Sequence, residues 1–454
     1  MARAFFVGGC VRDTVLGQAP KDFDIEVFGV SYEQLARSLA RWGRTDLVGR
    51  SFGVVKLTLR SGRTYDFTIP RRDSKVAAGH KGFEITFAPD IELPEAAARR
   101  DFTINALMFD PRRNEVLDFF GGRADLAAGI LRHTGGAFAE DPLRVLRGMQ
   151  FAGRFNLRGA PATLALSRSI RGSCGELAVE RVREEWFKWA EKSVVPSAGL
   201  RFLEQSGWLE EFPELSALAV TPQDLEWHPE GNVFEHTLHC CDALARQATW
   251  WATDSESRIV QMLAVLLHDA GKPECTSEVE REGRRRIVSP GHDEAGVAAA
   301  GRFLERIGAP LAVRERVIPL VACHMAHLQE ATDRAVRRLA KRLEPETIES
   351  LCRVMTADAN GRPPMPPHEP EVVRILRAKA AELCVQDRAP KPILLGRHLL
   401  AVGLAPGPAM GRILAEAFEA QLEGRFLDLA GARRWLAEES HAELTAEMRA
   451  ALRH

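Results

Sequence analysis

"FFVGGCVRDTVLGQAPKDFDIEVF", Phe5 to Phe28, sets a strand-like run, two glycines, an Arg-Asp pair and two spaced aspartates within one short span. Gly8 and Gly9 follow the apolar "FFV" and precede a helical pattern. Backbone N–H groups and a helix N-terminus at such a junction can hold phosphate, and Arg12 adds a cation beside it. In "DFDIEVF", Asp22, Asp24 and Glu26 alternate with Phe23, Ile25 and Val27. Period two puts the carboxylates on one face and the apolar side chains on the other. Taken alone, that alternation also describes an edge strand with a solvated acidic face. A second strand-like run, "TYDFTI", offers Asp66 as a further carboxylate. Neighbouring carboxylates repel, and a divalent cation such as Mg²⁺ relieves that repulsion. Two such ions between these aspartates and a triphosphate would activate an attacking hydroxyl and stabilise a pyrophosphate leaving group. Nucleotidyl transfer is the chemistry the stretch suits.

The chain around it has 454 residues, enough for two to four domains. Its 45% hydrophobic and 27% charged content is that of a globular protein, and 61 basic against 62 acidic residues leave a net charge of −1. That balance excludes a chain coated in positive charge but not a local phosphate-binding face. Eight cysteines are scattered without CxxC pairs, as in reduced, cytoplasmic proteins. No apolar run is long enough to span a membrane. The start, "MARAFFV", runs straight into a strand pattern, so no signal peptide is expected.

From Ala4 to about Gly121, β-rich runs ("AFFVGG", "GVVKLTL", "INALMFD", "EVLDFFGG") alternate with turns and helical patterns at Val11–Leu16 and Tyr32–Arg41. After about Gly136 strand signals almost vanish. Helical spacing recurs at Leu143–Phe155, Glu180–Glu191, Val233–Ala245, Arg258–Leu267, Val313–Cys323 and Arg334–Leu343. The reading is an α+β protein: a mixed-sheet head followed by a long helical body.

Two further motifs bear on the head. In "RRDFTINAL", an arginine of Arg99-Arg100 could pair with ribose or phosphate, with Asp101 orienting it; a salt-bridged helix start is the plainer meaning. In "EDPLRVLRGMQFAGRF", Asp141 and Arg144 stand at i, i+3, one above the other on a helix face. Such spacing more commonly marks a surface ion pair. As a base reader, an Asp acceptor beside an Arg donor matches the amino donor and ring-nitrogen acceptor that cytosine and adenine both present. Uracil and guanine present the reverse order. Each good bidentate contact of this kind is worth roughly 1–3 kcal/mol.

The body carries a second constellation. His236 lies in "VFEHTLHCCDAL", His268-Asp269 in "LAVLLHDAGKP", His292 in "SPGHDEAGVAAA", His324 in "LVACHMAHL" and Asp358 in "VMTADANGR". A lone helical histidine is more often structural. Here the His-Asp pair ends an apolar helix, which buries two polar groups unless something satisfies them. Imidazoles and carboxylates on separate helices of a bundle recurrently hold one or two transition metals. His228 and His239 are assigned to helix packing or support. The run Arg334, Arg337, Arg338, Lys341 and Arg342 reads as a solvated face or, with an RNA substrate, a backbone contact.

"GGCVRDTVLGQAPKDFDIEVFG", "RRDFTINAL" and "EDPLRVLRGMQFAGRF", in this order, resemble the bacterial-type (class II) tRNA nucleotidyltransferases, the CCA-adding enzymes, and the related poly(A) polymerases. The resemblance implies a polymerase-β-like head with Asp22 and Asp24 as the Mg²⁺-binding pair; Asp66, from the strand reading, is counted with them as catalytic. It implies Arg99, Asp101 and Arg100 at the ribose and triphosphate, and Glu140, Asp141 and Arg144 as the template for the base; Gly8, Gly9, Arg12, Asn105 and Arg147 are counted with them as nucleotide-binding. "ERVREEWFKW" (Glu180–Trp189) resembles the helix that buttresses this template. "PRRDSKVAAGHKGFE" (Pro70–Glu84) resembles the loop implicated in switching from C to A addition. "VGRSFGVVKL" (Val48–Leu57) lacks the basic run usual in poly(A) polymerases. His236, His268, Asp269 and Asp358 match the signature of the HD phosphohydrolase superfamily, with His292 and His324 as the extra histidines of two-metal members. The metal there is a divalent transition ion (Ni²⁺, Mn²⁺, Zn²⁺ or Fe²⁺). "EWHPEGNVFEH" resembles the enterobacterial-type enzymes, for which 2′,3′-cyclic phosphodiesterase, 2′-nucleotidase and phosphatase activities are implied.

The expected organisation is a catalytic head over 1–135, an all-α neck over 136–200 and a helical body with the HD domain over 201–365. A helical tail over 366–454 would contact tRNA, as would Arg337, Arg338 and Lys341. The expected partners are tRNA, CTP and ATP, with no membrane; the chain is a monomer or homodimer of the cytoplasm. The alternatives are an A-adding or CC-adding enzyme, a poly(A) polymerase, or chiefly a phosphohydrolase whose head senses nucleotide. A non-catalytic RNA-binding protein is opposed by the retained carboxylates.

Overall fold

The structure, a computed structural model, describes residues 2–46, 53–75, 83–281, 283–326, 331–439 and 444–452. Two compact units divide it: Met1–Ala217 with Glu305–Ala309, and Leu218–Leu304 with Pro310–His454.

The first unit is built on a seven-stranded mixed sheet. Its strands are β1 (Arg3–Val7), β2 (Asp24–Phe28), β3 (Gly43–Asp46), β4 (Val54–Leu59) and β5 (Thr64–Thr68). After a separate hairpin of β6 (Arg71–Lys75) and β7 (Phe83–Phe87), β8 (Met108–Asp110) and β9 (Glu115–Leu117) complete it. The order is β3-β4-β5-β2-β1-β8-β9. All neighbours run antiparallel except β2 and β5. The parallel pair sets Asp24 directly opposite Asp66. β2 is therefore a central strand, and the solvated edge-strand reading of "DFDIEVF" does not hold. Two apolar clusters cover the sheet, one around Phe5, Val7, Phe28 and Met108, the other around Ile25, Leu35, Val55 and Ile69. The stretches 47–52 and 76–82 lie outside the described residues, so the readings made on Val48–Leu57 and on the Pro70–Glu84 loop fall there in part.

The remainder of this unit is helical. Leu143–Phe155 packs against Val179–Lys192 and Pro196–Ser206. Trp186 and Trp189 of the middle helix are fully buried, and the Trp189 indole N–H donates to Pro196 O at 3.1 Å. A large apolar side chain so buried contributes about 1.5–3 kcal/mol, enough to fix which face Arg181 and Lys188 of that helix present.

The second unit is mostly helical, as the spacing predicts. Its centre is Ser255–Leu267, buried continuously from Val260 to Leu267. A helix apolar all round must lie inside its bundle, so whatever follows its last turn is delivered to the interior. Val233–Ala245, Leu311–Cys323 and Ile348–Ala359 surround it. One departure is an antiparallel hairpin, Ser277–Arg281 with Arg284–Val288, where the sequence reading has no strand. Its charged residues mask the period-two pattern. No described helix is long and apolar enough to cross a membrane.

Candidate nucleotide site and candidate metal centre

In the first unit, Gly8, Gly9, Arg12, Asp22, Asp24, Arg99, Arg100, Asp101, Asn105, Asp141, Arg144 and Arg147 line one cavity of about 740 Å³. Of the residues expected at the nucleotide, only Glu140 is not among its lining, and of the three aspartates only Asp66 is not. Arg154, Arg181, Lys188 and Lys192, which the sequence reading did not single out, join them. Nine cationic side chains against four aspartates give the cavity the field an anionic ligand needs.

Gly8 joins β1 to the helix Gly9–Val15 with φ of 73°, in the left-handed region that favours glycine. A Cβ there would also meet the Arg100 guanidinium at 2.7 Å. The missing side chain lets the Arg100 guanidinium lie against the backbone at the strand–helix turn. Arg12 behaves differently from a free phosphate ligand. It is 4% exposed, pairs with Asp13 at 2.6 Å, donates to Asn105 Oδ1 and stacks on Phe155. It is a brace that holds Asn105.

Burial pushes the Asp24 carboxyl above its ordinary range; Arg100 opposes this, while Asp66, Asp22 and Glu26 add to it. Asp66 Oδ1 is buried without a hydrogen-bond partner. The Lys56 ammonium stands 3.9 Å from that oxygen, and the mutually repelling carboxylates fit a hard divalent cation, which takes oxygen ligands. Glu26, on the same face as Asp24, is fully buried. It accepts from Arg99 at 2.5 Å, and Arg100 lies 3.8 Å away. It is the counter-charge that lets two adjacent arginines sit beside the cavity. Glu26→Ala leaves them without it, and breaking a buried pair costs about 3 kcal/mol. Denaturant unfolding of the first unit should show that loss, Glu26→Gln a smaller one; an unchanged midpoint would contradict the pairing.

Two expected pairings are rearranged. Asp101 does not orient Arg99: its carboxylate accepts from Arg147 at 2.7 Å, Asn105 at 2.9 Å and the Phe102 N–H at 2.8 Å. Burial alone would raise its pKa, but Arg147 and these hydrogen bonds hold it below the usual range. Asp141 and Arg144 do not share a helix face, because the helix begins at Leu143 and Asp141 precedes it in extended backbone. Asp141 is held by Arg181 at 2.8 Å, from the helix expected to buttress the template. Arg144 donates to the Ala137 and Arg99 carbonyls at 2.8 and 2.9 Å. A guanidinium has five donors, so three remain for a ligand. The two side chains are thus fixed separately, each by partners other than itself.

In the second unit, His236, His268, Asp269, His292 and His324 are all at most 8% exposed. Three imidazoles anchor Nδ1 on the carbonyl three residues back: His268 on Val265, His292 on Ser289 and His324 on Val321, each at 2.7 Å. His268 and His324 cap their helices, so these are carbonyls the helix end leaves unpaired. With Nδ1–H donated, Nε2 carries the lone pair, and all point to one locus. His236 and His268 lie near one oxygen of Asp269, at 3.8 and 3.3 Å; His292 and His324 lie near the other, at 3.3 and 3.9 Å. Asp358 Oδ1 adds a contact at 3.0 Å to His236 Nε2. His268 Nε2 is buried without a hydrogen-bond partner, and the Nε2 atoms of His292 and His324 stand 3.3 Å apart. Converging lone pairs around a shared carboxylate fit one or two metal ions. Two candidate groups share the locus, His236-Cys240-His268-Asp358 and Asp269-His292-His324.

Supporting residues complete the centre. Burial would neutralise Asp269 and Asp358, but His268 and Lys272 hold the first, and His236 and His268 the second, well below the usual carboxylate range. Burial and His268 pull His324 down to about 4; burial lowers His292 and His236 too, but Asp269 raises the first, and Cys240, Asp358 and Glu230 raise the second, above the usual range. Glu230, which the sequence reading quoted but did not single out, accepts from Nδ1 of His236 at 2.7 Å and of His228 at 2.9 Å. Burial would raise it, yet the two imidazole donors keep it at about 2. His228 thus supports Glu230 and does not simply pack. The signal for Glu230 was its place in "HPEGNVFEH", just ahead of the helix that carries His236.

In the basic run of the C-terminal region, most side chains have acidic neighbours while remaining partly exposed. Arg334 and Arg338 pair with Glu423 and Glu419 at 3.1 and 2.9 Å, Lys341 pairs with Glu344, and Arg337 is 9% exposed beside Asp333. Arg342 donates to the Ala322 carbonyl.

Residues 4–132 match the family model of the poly A polymerase head domain, and 233–379 match the HD domain. The chain is 35% identical over 431 residues to a multifunctional CCA protein of Xanthomonas campestris, covering 91% of this chain and 97% of that one. It is 36% identical over 369 residues to that of Halorhodospira halophila, covering 78% and 83%. Among solved structures, a Bacillus stearothermophilus CCA-adding enzyme in complex with CTP superposes with a TM-score of 0.61 at 21% identity, covering 93% of this chain and 89% of that one. A Thermotoga maritima CCA-adding enzyme complexed with tRNA gives 0.57 at 19%, covering 96% and 91%.

Proposed function

We propose, for a chain that belongs to the multifunctional CCA proteins, that the first unit adds C, C and A to tRNA 3′ ends from CTP and ATP. The second unit hydrolyses phosphoesters at those ends. The observation that carries this reading is the single cavity that joins Asp22 and Asp24 to the arginine-rich wall and to Asp141 and Arg144.

Asp22, Asp24 and Asp66 would hold Mg²⁺, which supplies neutralisation of the triphosphate and activation of the attacking 3′ hydroxyl. The turn at Gly8–Gly9 and the Arg100 guanidinium against it bind triphosphate oxygens. Asp101 keeps Arg147 and Asn105 aimed into the cavity. Asp141, held by Arg181, accepts from the amino group of cytosine or adenine, and the remaining donors of Arg144 meet the ring nitrogen. Because both side chains are fixed before a nucleotide arrives, U and G find an acceptor facing an acceptor and a donor facing a donor. In the second unit His236, His268, Asp269, His292, His324 and Asp358 would hold divalent transition metal, which supplies an activated water and charge stabilisation for phosphoester hydrolysis. Lys272, 2.7 Å from Asp269, and Arg362, 3.2 Å from Asp358, set the carboxylates and add positive charge beside a phosphate. In this proposal 1–135 act as head, 136–200 as neck, 201–365 as phosphohydrolase body and 366–454 as tail, in the cytoplasm.

The test offers tRNA ending before CCA, after C or after CC, with CTP, ATP or both, and sequences the products. Ordered C, C and A is the expected result. A-only extension of the CC-ended tRNA would make it an A-adding enzyme, and long A tails would favour poly(A) synthesis. In the same assay Asp141→Ala should cut discrimination against UTP and GTP by about 10- to 100-fold, the equivalent of one bidentate contact; unchanged selectivity would remove Asp141 from base reading.

A further inference from the structure

We propose that Cys240 is itself a ligand of the metal centre in the second unit, making one half of that centre a mixed nitrogen, sulfur and oxygen site. This rests on reading the histidine-aspartate cluster as a metal centre. Cys240 stands one helical turn after His236 on Val233–Ala245, so both side chains leave the same face. Its Sγ lies 3.3 Å from His236 Nε2, the atom facing the locus. One ligand atom each from His236, Cys240, His268 and Asp358 falls within 4.8 Å of the others. Around a tetrahedral ion with metal–sulfur and metal–nitrogen bonds of about 2.3 and 2.05 Å, neighbouring ligands sit about 3.6 Å apart. The Sγ–Nε2 and Nε2–Oδ1 separations are 3.3 and 3.0 Å, within the span such neighbours occupy.

One further observation points the same way, and another shows the room the sulfur needs. His268 Nε2, buried and without a hydrogen-bond partner, is aimed into the same group. Across from the sulfur, Gly361 leaves the space: a Cβ there would lie 2.2 Å from Cys240 Sγ. The thiolate is a soft ligand, and a site of two imidazoles, a thiolate and a carboxylate favours Zn²⁺, Co²⁺ or Ni²⁺ over Mg²⁺ or Mn²⁺. Among the described residues Cys240 is the one cysteine in any such group.

The experiment strips the full-length protein with chelator, titrates in Co²⁺ and records the ultraviolet and visible spectrum. Visible ligand-field bands report that Co²⁺ is bound; a near-ultraviolet sulfur-to-cobalt charge-transfer band reports a thiolate ligand. The wild type should show both. Cys240→Ser should lose the charge-transfer band, keep ligand-field bands and stoichiometry, and bind Co²⁺ about tenfold or more weakly, the scale on which shell residues tune affinity. Ligand-field bands without charge transfer in the wild type would overturn the proposal and leave the metal centre standing. A charge-transfer band that survives in Cys240→Ser would also overturn it. No Co²⁺ bound to the wild type would refute the metal centre itself. The wild-type spectrum decides even if the variant folds poorly.

Discussion

Asp24→Asn is expected to slow nucleotide addition by about a thousandfold or more while cyclic-phosphate hydrolysis continues at its wild-type rate. Metal-assisted charge stabilisation is worth several kcal/mol, and each 1.36 kcal/mol is about tenfold in rate. The amide keeps the shape of the side chain and removes the charge that would hold the cation. The fold should not suffer. In the native protein Asp24 is pushed toward its neutral form by burial and by Asp66, Asp22 and Glu26, with Arg100 opposing. A carboxyl whose pKa is raised by folding destabilises the native state at pH above that pKa. Neutralising it should therefore leave the melting temperature unchanged or raise it. A collapse of activity with a preserved or higher melting temperature is the signature of a site held against its own electrostatics. Activity within tenfold of wild type would remove Asp24 from the cation site.

His268→Ala should have the complementary effect: loss of cyclic-phosphate hydrolysis by about a thousandfold or more, with nucleotide addition intact. His268 suits this test better than Asp269. Its Nε2 makes no hydrogen bond, standing 3.3 Å from Asp269 and 3.9 Å from Asp358, and its Nδ1 bonds only the Val265 carbonyl. Losing that bond costs about 1 kcal/mol, which a bundle this well buried should survive. Removing Asp269 would instead strand the Lys272 ammonium, 2.7 Å away and 8% exposed. Assays of both activities and of bound metal on one preparation check the result. If both activities fell together, separate centres would be the wrong description.

What the sequence made legible was local. Period two put Asp22, Asp24 and Glu26 on one face, but alternation cannot say whether that face meets solvent. It took the central place of β2, with β1 and β5 on its flanks, to bury Glu26 and give it Arg99 and Arg100. The "RRDFTINAL" and "EDPLRVLRG" motifs marked residues that line one cavity, with partners other than those read from the spacing. The acceptor for Arg147 lies 46 residues away at Asp101 and the donor to Asp141 lies 40 residues away at Arg181, distances no spacing rule reaches. The same limit applies in the basic run to Arg334 and Arg338, whose acidic partners Glu423 and Glu419 come from some eighty residues later. In the second unit the helix ending in His268-Asp269 was legible because its last turns, Met262–Leu267, are apolar all round and have one place to go. Glu230, Lys272 and Cys240 were not, since a single glutamate, lysine or cysteine carries no period.

A tRNA whose 3′ end is a 2′,3′-cyclic phosphate, lacking CCA, brings both centres to bear on one molecule, since it has no free 3′ hydroxyl to extend. The measurement is the 3′ sequence after incubation with CTP, ATP, Mg²⁺ and Ni²⁺. Wild-type protein is expected to open the ring, release the phosphate and add CCA. His268→Ala should leave that tRNA unextended yet complete one with a free hydroxyl, Asp24→Asn should open it without extending it, and the two variants mixed should restore CCA. Extension by His268→Ala at the wild-type rate, or failure of the wild type to extend the blocked tRNA, would contradict two centres serving one RNA end.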